Sequence, residues 1–107
     1  MLNKSRTIDE LTEYAARHIT DAEALEMMGD ECAELELACV RAARVLRGEG
    51  APQGALLDAM EKVTARVNDM FNTMCVVHEK FPQVREVPTL RVGKMQMLHD
   101  RLEGDRR

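Results

Sequence analysis

The segment Gly48-Glu49-Gly50-Ala51-Pro52 constrains this chain most, because two glycines and a proline there interrupt sequence that otherwise favours helix. On either side lies a long run: one from about Asp21 to Arg47, the other from near Gln53 or Gly54 to about Lys80, where Pro82 follows. Two helices of matching length joined by about five residues fold back on each other as an antiparallel hairpin. The vocabulary agrees. Leu, Met, Ala, Val, Glu, Lys and Arg dominate, and aromatic residues make up 3%.

Starts are as legible as the stop. Thr7-Ile8-Asp9-Glu10 and Thr20-Asp21-Ala22-Glu23 each set a threonine three residues before a glutamate, the capping-box spacing. Pro88-Thr89 opens a last helix after the short loop from Pro82 to Val87. Helices are expected at about residues 8 to 18, 21 to 47, 54 to 80 and 89 to 103, with a frayed tail from Gly104 to Arg107. The fold class is all-α, a helical bundle built on a long hairpin.

Apolar residues recur three and four apart in the second helix, at Leu25, Met28, Cys32, Leu35, Cys39, Ala42 and Leu46. The third answers with Leu56, Met60, Val63, Val67, Met70, Met74 and Val77. These two stripes are the expected seam. A chain of 107 residues is a single domain that buries a thin core, so the wide apolar faces are expected to continue into a homo-oligomer, a dimer or tetramer.

Composition narrows the function classes. The net charge of −4 argues against nucleic acid, whose phosphates need a basic face. The basic stripe Arg41, Arg44 and Arg47 closes a helix and complements its dipole. No apolar run approaches the ~20 residues that span a bilayer, and Met1-Leu2-Asn3-Lys4-Ser5-Arg6 lacks the apolar block of a signal peptide. A cytoplasmic protein without a membrane partner is the expectation. Cys32, Cys39 and Cys75 form no CxxC and read as reduced, buried thiols, while the methionines read as adaptable packing. His18 and His99 fall near helix ends, and His78 with Cys75 offers two metal ligands without partners.

The acids that break the periodicity carry the chemistry. Beside the expected seam runs a stripe of Ala24, Met27, Glu31, Glu34, Ala38 and Val45, apolar except for two glutamates one turn apart. Glu31 and Glu34 stand 17 and 14 residues before Gly48, and Asp69 stands 17 after Pro52, so the hairpin brings all three to one level. Three carboxylates in a helical groove suit Mg²⁺, while acids at a solvated helix edge are the plainer reading. A di-iron bundle would need Glu-x-x-His pairs, and neither Glu31 nor Asp69 has one.

Asp30-Glu31-Cys32-Ala33-Glu34-Leu35 resembles the EExxE-type signature of the MazG-like nucleoside triphosphate pyrophosphohydrolases, in their short all-α form. Arg41 to Gly48, Asp69-Met70-Phe71-Asn72, Glu79-Lys80-Phe81 and Lys94-Met95-Gln96-Met97-Leu98 extend the likeness over roughly residues 20 to 102. The resemblance implies cleavage of a nucleoside triphosphate to monophosphate and pyrophosphate with Mg²⁺, or Mn²⁺ in its place, as Lewis acid, template and activator of water. It assigns Glu31, Glu34 and Asp69 to the metal, Glu34 to the attacking water as the catalytic carboxylate, and Asn72 and Lys94 to the substrate; Arg66, outside the family's pattern, is a further candidate for a substrate phosphate.

One position departs. The family's second motif is E-x-x-D, and three residues before Asp69 this chain carries Arg66. A guanidinium cannot ligate a cation and competes with one for the carboxylates. The alternative function is therefore a non-catalytic helical interaction or regulatory module of the same fold, in which Arg66 pairs with Glu31 or Glu34.

Overall fold

The computed structural model describes residues 6–49 and 54–106, which form four α-helices and no strand. Helix α1 is Ile8–His18, α2 Asp21–Leu46, α3 Ala55–Lys80 and α4 Pro88–Asp105. Of the expected break, Gly50, Ala51, Pro52 and Gln53 lie outside the described residues, as do residues 1–5 and Arg107. None of the described helices is long and apolar enough to cross a membrane.

Local chemistry accounts for the ends. At Thr20 the capping box is complete: its hydroxyl accepts from the Glu23 amide at 3.1 Å, and the Glu23 carboxylate accepts from the Thr20 amide at 3.2 Å. Thr7 forms half of one, because the Glu10 carboxylate meets its hydroxyl instead of its backbone. At the far end of α2, Gly48 takes φ +75°, so that its amide reaches Val45 and the Glu49 amide reaches Arg44. That pair of bonds is a Schellman cap, which needs the left-handed conformation glycine allows. Pro88 opens α4 at a position where its missing N–H costs nothing. Of the tail expected to fray, Gly104 and Asp105 belong to α4, and Arg107 lies outside the described residues.

Helices α2 and α3 run antiparallel. Lys80 at the end of α3 donates to Asp21 at the start of α2 at 3.1 Å, and Arg66 meets Glu34 midway. The residue numbers of the two pairs add to the same total within one, as an antiparallel register requires.

The seam keeps Met28, Leu35 and Ala42 of the expected row on α2 and Val63, Met70 and Val77 on α3, and differs at the positions between them, where the inward residue is the one before the expected one. Along α2 the inward row is Ala24, Met28, Glu31, Leu35, Ala38, Ala42 and Val45, all buried or half-buried. Leu25, Cys32, Cys39 and Leu46 are exposed beside it. On α3 the row is Ala59, Val63, Arg66, Met70, Thr73, Val77 and Lys80, again with the larger Met60 and Met74 left outside. Three of the inward residues of α2, Ala24, Ala38 and Ala42, are buried alanines, small side chains that allow two helices to approach, while the larger apolar residues of the neighbouring row stay outside. The cysteines are thus free thiols on the surface instead of buried ones.

Helix α1 packs across the open end of the hairpin, where Ala16, Ala24, Val76 and Val77 form the core cluster and Ile19, Met28 and Phe81 close around it. Helix α4 adds no buried residue. Its polar side is satisfied along its own length, as Gln96 donates to Asp100 at 2.9 Å. That bond, with His99 alongside, holds the Asp100 carboxyl below its ordinary range. The radius of gyration is 18.2 Å, whereas a compact chain of this length has about 13 Å.

Close packing at alanine gives a direct check on the seam. Ala38→Leu is expected to lower stability in thermal melts by about 1–3 kcal/mol, whereas Cys39→Leu, one residue away, stays within about 0.5 kcal/mol.

Candidate metal centre

Each carboxylate of the expected cluster owes its position to the rotated seam. Glu31 falls on the inward row of α2 and is half-buried, with its Oε2 enclosed and without a hydrogen-bond partner among the described residues. Glu34 sits one turn on, at the edge where α2 meets α3. Asp69 occupies the matching edge of α3, three residues beyond Arg66.

Arg66 joins the two edges. Its Nη2 lies 3.3 Å from Glu34 Oε2 and its Nη1 3.5 Å from Asp69 Oδ2, so one guanidinium spans two carboxylates on different helices. The counting argument therefore places Glu34 and Asp69 at one level, with a cation of the chain's own between them. Glu31 takes no part in this bridge. All three side chains of the bridge are 40 to 50% exposed, so water screens the attraction and each pair is worth at most about 1 kcal/mol.

The same edge continues as a groove of about 370 Å³ lined by Glu34, Arg41, Asp58, Lys62 and Arg66. Lys62 Nζ is 3.2 Å from Asp58 Oδ2. Three cations and two carboxylates make its lining positive on balance. The dipole argument for Arg41 did not place it there, yet its spacing could have: Arg41 follows Glu34 by seven residues and Lys62 precedes Asp69 by seven, which returns each to the same helix edge.

The remaining expected residues do not join the cluster. Asn72 is exposed and faces α1 beside Leu11 and Ala15. Lys94 is exposed on α4, a helix with no buried residue. Among the described residues no three carboxylate, imidazole or thiol side chains gather in a way that could hold a metal ion. Glu31 offers a bare oxygen that a cation would satisfy, but Glu34 and Asp69 already face a guanidinium that has no lone pair to give. As arranged, the donor set does not fit Mg²⁺. What the arrangement can do is fix the relative alignment of two helices with charge.

Compared with family models, curated proteins and solved structures, the chain matches none.

Two substitutions test this geometry. Glu31→Leu removes a carboxylate that has no partner, and a gain of about 1–3 kcal/mol in denaturant melts is expected. In a double-mutant cycle on Arg66→Ala and Glu34→Ala, the coupling energy is expected between about 0.2 and 1 kcal/mol.

Proposed function

We propose that the chain is a non-catalytic helical interaction module in which the Arg66 guanidinium occupies the ground a divalent cation would need. The observation that carries this reading is the position of Arg66 within 3.5 Å of both Glu34 and Asp69. A fixed positive charge there satisfies the acids without coordination chemistry, and a hydrated Mg²⁺ would have to displace it to reach them.

The competing reading, a Mg²⁺-dependent nucleoside triphosphate pyrophosphohydrolase, draws on the likeness of Asp30 to Leu35 to the MazG-like signature and on the bare oxygen of Glu31. It asks Glu31, Glu34 and Asp69 to converge on one ion. Two of them converge on Arg66.

An interaction module also accounts for the exposed apolar surface, as a homo-oligomeric hydrolase would. Large apolar side chains are exposed on every helix, among them Leu11, Leu25, Phe71 and Met95. Apolar surface on this scale is what helical association modules display.

Thermal melts with millimolar Mg²⁺ or Mn²⁺ separate the readings, because a ligand bound only by the folded state raises the melting temperature. No shift is expected for the natural sequence, and a metal-dependent rise is expected once Arg66→Glu turns the guanidinium into a third carboxylate. Pyrophosphate release from a panel of nucleoside triphosphates, abolished by Glu34→Ala and by Asp69→Ala, would overturn the proposal.

A further inference from the structure

Between the last turns of α3 and the loop from Pro82 to Val87 lies a cleft of about 570 Å³. Phe71, Met74 and Cys75 line it from α3, and Val84 lines it from the loop. Phe71, Met74 and Val84 are 60, 43 and 40% exposed, so three large apolar side chains meet water in one concavity. A single apolar side chain on a surface needs no explanation, whereas several converging on a cleft mark a place where an apolar group can be held.

Hydrogen bonds fix the loop side of the cleft. The Val84 amide donates to the Phe81 carbonyl at 2.9 Å, and His78 Nδ1 lies 3.0 Å from the Val84 carbonyl. A carbonyl only accepts, so the shared proton belongs to Nδ1. This bond ties the loop back onto α3. The cleft therefore exists before a ligand arrives, and binding there does not have to order the loop.

The charges in the lining select the ligand. Arg91 Nη1 meets Glu86 Oε1 at 2.6 Å, so these two residues neutralise each other. Arg85 uses one N–H on the Glu86 backbone carbonyl at 3.2 Å and pairs with no carboxylate among the described residues. A guanidinium has five N–H donors in a planar fork, which leaves Arg85 with donors to offer and one uncompensated positive charge beside an apolar wall.

We propose that this cleft binds a small carboxylate with an unbranched apolar body, its head on Arg85 and its chain along Phe71 and Met74. The inference goes beyond the reading of the chain as an interaction module and involves neither Arg66 nor the acids it bridges. Charge sets the head: a carboxylate matches the planar fork and brings the single negative charge that Arg85 can answer, while a polyphosphate would bring several. Size sets the body. From Phe71 to His78 the helix rises about 10 Å, the extended length of roughly eight to ten carbons, and a cleft of 570 Å³ falls within the ~300–1,000 Å³ of small-molecule sites.

Thiol labelling of the natural sequence tests the site, because Cys75 lines the cleft while Cys32 and Cys39 stand on α2, and all three thiols are exposed. Sodium decanoate, kept below the concentration at which it forms micelles, is expected to slow the labelling of Cys75 about tenfold at saturation and to leave Cys32 and Cys39 unchanged. Across hexanoate, octanoate and decanoate, half-protection is expected at about three- to fourfold lower concentration for each added methylene. Decyltrimethylammonium, with the same chain and the opposite charge, is expected to give no protection. Arg85→Gln, on an exposed loop residue, is expected to raise the half-protecting concentration of decanoate about tenfold. A Cys75 that fails to react without ligand, equal slowing of all three thiols, equal protection by the cationic amphiphile, or an Arg85→Gln chain protected as well as the natural one would overturn the proposal.

Discussion

Alanine at the seam governs the rest of the molecule. Where Ala24, Ala38 and Ala42 face α3, the helix backbones can approach closely, and that approach dictates which side of each helix looks inward. The charged edge, the apolar edge and the enclosure of Glu31 are all consequences of the same rotation. Because small side chains remove little area from water, the hairpin obtains alignment from this packing more than it obtains stability.

The helix boundaries were legible because their causes are local. A threonine three residues from a glutamate, a proline in a first turn and a glycine that can take positive φ act within one turn of chain, and observed ends fall within a residue or two of the expected ones. The seam was not legible to the same degree. Both candidate rows of α2 are mostly apolar, and reading the larger side chains as the core favours Leu25, Cys32 and Leu46, whereas packing selected the smaller ones. No local signal distinguishes the two, since the choice belongs to α3 as much as to α2.

The candidate site divides along the same line. Distance along the helices was enough to bring Glu31, Glu34 and Asp69 to one level within about a turn, because rise per residue is fixed. Pairing of Arg66 with Glu31 or Glu34 follows from its charge and level, and of the two the structure pairs it with Glu34. The seclusion of Glu31 depended on rotation, and counting along the axis is silent about rotation. Asn72 and Lys94 belonged to a picture of a pocket spanning several helices, and the first faces α1 while the second stands on α4.

Two overlapping apolar rows on one helix, with Met28, Leu35 and Ala42 in common, also mean that α2 has two packings of similar hydrophobicity available, related by a turn of about 50°. Burial by itself discriminates poorly between them, and a hairpin held by apolar area alone would populate both. Arg66 reaches Glu34 in the orientation observed, and a turned α2 would carry that carboxylate away from it. The bridge, weak as a source of stability, adds to the choice that the alanines make, and that choice sets whether cysteines or carboxylates are presented along each edge of the hairpin.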